Sequence, residues 1–261
     1  LTQDRDRTKP LEAVSIPDSV TELEDNALDN LNAESLRLSK NITKIPKYCF
    51  QNANIKHMDL SNLDGKITAI DKYGFAYMNK DIGDTADITL PKFNNVQTIG
   101  DYVFYDTLLG YTTVDFSNNE ILTDLIGSTA DYTIVRESSL GELSFKNCKN
   151  LKRIGAIGYG SAIGKVNLEG TALMAMGNVS VSRGHNDTVG CMLDNCYVGT
   201  LILPKSIRLM LWESFRNSQM EEIVNEEYIK YAFRVFGDPG NSGKVTCGPN
   251  TSRFRNKTYT P

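Results

Sequence analysis

The stretch NITKIPKYCFQNANIKHMDL, residues 41–60, carries the regularity that decides the fold. Ile42 and Ile45 stand three residues apart, Phe50 follows five residues after Ile45, Ala53 three after Phe50, and Met58-x-Leu60 closes the stretch. An apolar-x-apolar triplet has the period of a short strand with one face buried. The triplet recurs as Val14-Ile16, Leu36-Leu38, Met58-Leu60, Ile88-Leu90, Val114-Phe116, Leu143-Phe145, Val166-Leu168 and Leu201-Leu203, at intervals of 22, 22, 30, 26, 29, 23 and 35 residues. Each triplet is followed by an apolar pair three apart: Val20/Leu23, Ile42/Ile45, Ile67/Ile70, Val96/Ile99, Leu122/Leu125, Leu151/Ile154, Leu173/Met176 and Ile207/Met210. Five residues beyond the pair stand Leu28, Phe50, Phe75, Phe104, Tyr159 and Phe215, with Ala130 breaking the rule and Leu193 arriving only after an inserted loop. A modest side chain follows three residues later, as with Ala53, Thr107, Ala162, Cys196 and Ser218.

Nested spacings of this kind describe a solenoid. One unit of strand, turn and short helical or irregular segment is too small to bury its own apolar face, so it must stack on its neighbours. Equivalent residues then form columns, and strands in successive coils pair as a parallel sheet at about 4.8 Å per coil. Eight coils are expected from about Ala13 to Met220. IVNEEYIKYAFRVF, from Ile223, reads as a ninth coil with a closing helix, and VTCG, from Val245, as one more strand; an atypical end is what a cap requires. No comparable cap precedes Val14, which implies either an upstream segment or an open strand edge. The expected organisation is a polar tether over residues 1–12, the solenoid over 13–235, and a cap or last strand over 236–261.

Composition sets the outer bounds. The chain has 261 residues, 28 Lys+Arg against 32 Asp+Glu for a net charge of −4, and 40% hydrophobic residues. No stretch approaches the ~20 apolar residues of a membrane-spanning helix, and the apolar fraction excludes disorder. A mild acidic balance without a Lys/Arg cluster gives no electrostatic footprint for nucleic acid or anionic lipid. Cys49, Cys148, Cys191, Cys196 and Cys247 are odd in number and form no C-x-x-C pair, so they read as buried small side chains, with a Cys191–Cys196 disulfide as the minor option. Two histidines, His57 and His185, cannot build a His-based zinc site, and no metal or other cofactor is expected. The opening Leu1, followed by TQDRDRTKP, reads as a processed or recombinant start with any export signal already removed.

LPKSI (203–207), IPDSV (16–20), IPKYCFQNA (45–53) and IGDYVF (99–104) resemble the bacterial BspA-type leucine-rich repeat, whose unit runs roughly LPxSVxxIGxxAFxxCxxLxxI. The resemblance covers about residues 13 to 235 and carries no catalytic motif. It implies an α/β leucine-rich-repeat solenoid of about eight to ten coils, with short parallel strands on the concave face and helical or irregular segments on the convex face. It also implies an exported protein at the bacterial surface, with an upstream lipid anchor among the expected arrangements, that adheres to extracellular protein or glycan.

In that arrangement the outward strand positions follow by alternation. They are Ser15, Arg37, Asp59, Thr89, Asp115, Ser144, Asn167 and Ile202, and two residues earlier Ala13, Ser35, His57, Asp87, Thr113, Glu142, Lys165 and Thr200. The candidate binding residues among these are Arg37, His57, Asp59, Asp87, Thr89, Asp115, Glu142, Lys165 and Asn167, against the alternative of a solvated sheet face. Inserted loops compete with the sheet, with Tyr132, Arg183 and His185 as their candidate contacts. Asp87, Asp115 and Glu142 fall on adjacent coils, and two carboxylates ~5–10 Å apart are the requirement for glycoside cleavage. An open polar sheet supplies neither the cleft nor the raised pKa that such chemistry needs, so hydrolysis ranks last. GYGSAIG (158–164) has the look of a phosphate-binding glycine loop, yet no βαβ unit follows it. Asp18-Ser-Val20, Asp84-Thr-Ala86, Asp106-Thr-Leu108 and Asp187-Thr-Val189 match a short bacterial O-glycan acceptor pattern. The sequence therefore points to a non-catalytic surface binding module, with a rigid spacer as the runner-up.

Overall fold

A computed structural model of the chain describes residues 9–82, 85–125, 133–176, 192–210 and 214–232. The apolar-x-apolar triplets all lie on one ladder of nine strands: Val14–Ser15, Asn32–Arg37, Asn54–Asp59, Asp87–Thr89, Thr113–Asp115, Ser139–Ser144, Ala162–Asn167, Tyr197–Ile202 and Gln219–Val224. The strands run parallel and form two sheets, bridged where Phe93 N donates to Asp115 O (2.7 Å) and Thr112 Oγ1 to Ile88 O (2.9 Å). Register superposes the triplets: Val14, Leu36, Met58 and Ile88 pair in turn, as do Val114, Leu143, Val166, Leu201 and Ile223. Ile223 thus opens the expected ninth coil.

Two further ladders form the other sides of the coil. The second member of each apolar pair from Ile42/Ile45 onward sits in a two-residue strand, so that Ile45, Ile70 and Ile99 pair in one sheet. Leu125 and Ile154 pair in a second sheet, and Met176, Met210 and Ala232 in a third. A third ladder joins Phe104–Tyr105, Val135–Arg136, Gly158–Tyr159 and Leu193–Asp194. Backbone bonds from Leu28, Phe50 and Phe75 to the following coil extend its path toward the N-terminus.

Of the helical or irregular segments expected between strands, the described residues carry the irregular form. No α-helix occurs among the described residues, where helical structure is confined to short 3-10 turns such as Ser61–Leu63 and Glu226–Tyr228. A coil of 22 residues must turn several corners, and its corners are built on left-handed residues. Asn30, Asn52, Tyr77, Asp106, Glu137, Gly160, Asn195 and Asn217 all have φ between 50° and 59° and form one column. A left-handed residue at every corner stops helical propagation. Of the closing helix expected after Ile223, the described residues hold the Glu226–Tyr228 turn followed by the strand Tyr231–Ala232, and residues 233–235 lie outside them. Residues 236–261 lie outside the described residues.

The core is a set of side-chain columns. Phe50, Phe75 and Phe104 are fully buried and stack with ring centroids 5.0 and 5.2 Å apart and planes within 8° and 6°. Phe93, Phe116 and Phe145 make a second stack. The first column continues through Val135, which pairs with Phe104, and Gly158, which pairs with Val135. Tyr159 is therefore corrected: it lies one residue past the core column and faces outward. The space above Gly158 is taken by Leu193 and Cys196, whose Cδ2 and Sγ would lie 2.8 and 3.2 Å from an added Cβ. The shift also moves the small-residue column from Ala162 to Ser161, giving Thr107, Ser138, Ser161, Cys196 and Ser218. The four hydroxyls and the Cys196 thiol are buried, and the serines close a ladder of their own. Ser138 Oγ accepts from Thr107 N and donates to Phe104 O, and Ser161 Oγ accepts from Ser138 N.

Candidate functional site

The first ladder presents the residues expected to bind. Its six-residue strands point inward at their second and fifth positions, as with Ile55 and Met58 or Leu140 and Leu143. Strict alternation fails there, and two consecutive residues turn outward in each strand. An additional outer column follows, of Glu34, Lys56, Gly141, Gly164 and Gly199.

Most of the outer side chains are engaged with the protein itself. Arg37 donates from Nη2 to Asp18 Oδ1 at 2.9 Å, and Lys56 pairs with Glu34 at 3.3 Å. Lys165 pairs with Glu142 at 2.9 Å, and His57 Nδ1 lies 3.7 Å from Asp87 Oδ2. Asp59 and Asp115 accept the backbone N–H of Ser61 and Ser117, turning the chain out of the strand. These N–H bonds hold the Asp59 carboxyl below its ordinary range. Ser144 and Asn167 are buried rather than outward. Ser144 shares a hydrogen bond with Ser117, while Asn167 accepts from Glu169 N and donates to Glu142. Thr89 and Asp87 remain exposed. The loop candidates Tyr132, Arg183 and His185 lie outside the described residues, as do Cys191 and the acceptor triplets' Asp84 and Asp187.

The arrangement sets Asp115 and Glu142, two of the carboxylates considered for hydrolysis, in different columns. Asp115 shares a column with Ser144, whereas Glu142 pairs across to Thr113 and Lys165. Asp115 is occupied with a turn and Glu142 with an ammonium. The glycine-rich segment is the corner between the strands Gly158–Tyr159 and Ala162–Asn167, and it is spent on the fold. Among the described residues no group of three or more His, Cys, Asp or Glu gathers as a metal site. Burial pushes the thiol of Cys49 up to about 12 and those of Cys148 and Cys196 to about 11, which removes the thiolate that nucleophilic chemistry requires. Thr107, in the acceptor triplet of residues 106–108, is fully buried with its hydroxyl on Phe75 O, so the folded protein offers it to no modifying enzyme.

The surface with the chemistry of a binding site lies on another side of the coil and escapes reading from the first ladder. Tyr48, Tyr73 and Tyr102 occupy one turn position in consecutive coils and stack with centroids 5.2 and 5.3 Å apart. Tyr105 meets Tyr73, Tyr77 and Tyr102 edge-on. Lys72 Nζ lies 5.2 Å from the Tyr73 centroid and 5.5 Å from that of Tyr102. The Arg136 guanidinium lies 4.6 Å from Tyr159 and 5.6 Å from Tyr102. All six tyrosines are partly exposed. Burial, and then neighbouring Tyr105, hold the Tyr77 phenol above its ordinary range.

Backbone conformation sets these tyrosines apart. Tyr48, Tyr73, Tyr77 and Tyr102 have φ of 55°, 59°, 57° and 54°, in the left-handed region that disfavours bulky side chains. Equivalent turns in other coils use Asn26, Asn30 and Asn52, the residue type best suited to that region after glycine. The fold is therefore satisfied by asparagine at these positions. A sequence signal existed in the recurring Tyr before Cys49-Phe50, Gly74-Phe75 and Val103-Phe104, but triplet alternation does not reach the turns.

Comparison with known families matches residues 6–133 to the BspA type leucine rich repeat region, in six copies. No curated protein and no solved structure matches the chain. No helix among the described residues is long and apolar enough to cross a membrane.

Proposed function

Because residues 6–133 are BspA-type leucine-rich repeats, a type generally found in surface adhesion and binding proteins, we propose that this chain is a non-catalytic binding module of an exported, surface-exposed protein. Its ligand is an extracellular macromolecule, protein or glycan, held on the strip of Tyr48, Tyr73, Tyr77, Tyr102, Tyr105 and Tyr159 with Lys72 and Arg136. The observation that carries this reading is the set of four tyrosines in left-handed turns, confined to one patch. Each costs about 1–3 kcal/mol of backbone strain, and tyrosine with arginine is the composition of interface hot spots. Of the first-ladder residues, Arg37, Glu142, Lys165 and Asn167 are assigned to holding coil on coil and Asp59 and Asp115 to the turns of their own coils, with His57, Asp87 and Thr89 exposed enough to border a contact.

The test is binding of the chain to immobilised matrix proteins, mucins and glycans, repeated with Tyr73→Asn and Tyr102→Asn combined. Asparagine suits the backbone, so folding is retained while affinity for the detected partner falls about tenfold or more. Unchanged affinity in that variant would overturn the strip as the site. A chain that binds nothing in the panel supports the runner-up, a rigid spacer, which the mutual pairing of the first-ladder side chains favours.

A further inference from the structure

The strip's geometry also constrains the chemistry of its partner, on the premise that the strip is the binding site. Tyr48, Tyr73 and Tyr102 cover one another's faces by stacking, and all three are partly exposed. Ring edges carry the positive part of the aromatic quadrupole, and phenols donate hydrogen bonds. Face-on stacking of a sugar ring is correspondingly disfavoured there.

Charge acts in the same direction. Lys80 is joined to Asp106, and Arg136 Nε reaches Glu137 Oε1 at 3.4 Å, leaving its other guanidinium donors for a ligand. Lys72, against the same Tyr102 ring as Arg136, has no carboxylate within ion-pairing distance among the described residues. Asp101, next to Tyr102 in the chain, is the acidic residue an incoming anion must avoid. We infer that the strip takes a polypeptide segment bearing carboxylates, with an acidic side chain seated at the Tyr102 edge between Lys72 and Arg136.

The experiment is fluorescence anisotropy on the full chain with a labelled Glu-rich peptide, its Gln-for-Glu counterpart, and dextran sulfate as a carbohydrate polyanion. The Glu peptide should bind about tenfold tighter than the Gln peptide, Lys72→Gln should erase most of that difference, and Asp101→Asn should tighten binding severalfold. Equal binding of the two peptides, or tighter binding of dextran sulfate than of peptide, would overturn the inference. The Tyr73→Asn, Tyr102→Asn variant separates the two levels of the reading. Partner binding that depends on the tyrosines but ignores Lys72 and the Glu-to-Gln exchange sinks only the carboxylate inference, whereas binding indifferent to the tyrosines sinks the strip itself.

Discussion

A Cβ placed on Gly164 would lie 2.6 Å from the carbonyl oxygen of Gly141, and one on Gly199 would lie 2.5 Å from the carbonyl oxygen of Gly164. These obstacles are backbone, fixed by the ladder on both sides. A Cβ on Gly158 instead meets the far end of the Leu193 side chain, which can rotate. Gly164→Ala should therefore destabilise by about 1–3 kcal/mol, and Gly158→Ala by less, as measured by urea unfolding. Equal losses would contradict the rigid-backbone argument. The same two residues mark the limit of what could be read in advance. A large aromatic beside a glycine made Tyr159 the natural occupant of the Phe column, but the coil is offset by one there because Leu193 and Cys196 fill the volume. The tyrosine strip escapes for a related reason: its recurring Tyr two residues before Phe50, Phe75 and Phe104 sits at the turns, which the alternation of the triplets does not reach.

Among elements, the hydroxyl ladder and the phenylalanine stacks do different work. Ser138 Oγ serves both a buried N–H of Thr107 and the carbonyl of Phe104. Ser138→Ala strands the buried Thr107 N–H, so a loss of about 1–3 kcal/mol is expected from chemical denaturation, whereas Ser138→Thr should recover most of it by restoring the hydroxyl. The long strands were legible because their triplets repeat with one face buried. Ladders of two-residue strands were not, since so short an element contains no period, and their apolar pairs read as turn or helix. Even in the long strands the outward face was only half predicted, because the inward residues stand three apart rather than two.

Across the whole molecule, each coil touches only its neighbours, so energetic coupling should be short-ranged. Phe75→Ala should cost about 3–5 kcal/mol. Combined with Phe215→Ala, several coils away, its effect should add to within about 0.5 kcal/mol, whereas combination with Phe104→Ala, whose ring it contacts, should not. Non-additivity for the distant pair would show that the coils do not act as nearest neighbours. Charge gives the solenoid an acid limit. Asp18, held by the Lys40 backbone N–H and by Arg37, Asp59 by the Ser61 N–H, and Asp124 by Arg153 all have carboxyls below the ordinary value of 3.8. A depressed folded-state pKa contributes stability that is complete above that ordinary value and is lost as pH falls through the lower one. The thermal midpoint should thus drop as pH is taken from about 5 to 3, and less steeply in Asp124→Asn. A midpoint flat across that range would rule out these carboxylates as the source of acid sensitivity.

The hydrogen bonds that join one coil to the next all point along the stacking direction. Tension on the chain termini would therefore load them one coil at a time, as a thread leaves a spool, instead of shearing many together. Each turn released, 22 residues at the shortest, would lengthen the tether by about 75 Å or more. A protein fixed at one end and gripped at the other would yield to drag in steps, absorbing a sudden pull while the remaining turns keep their hold.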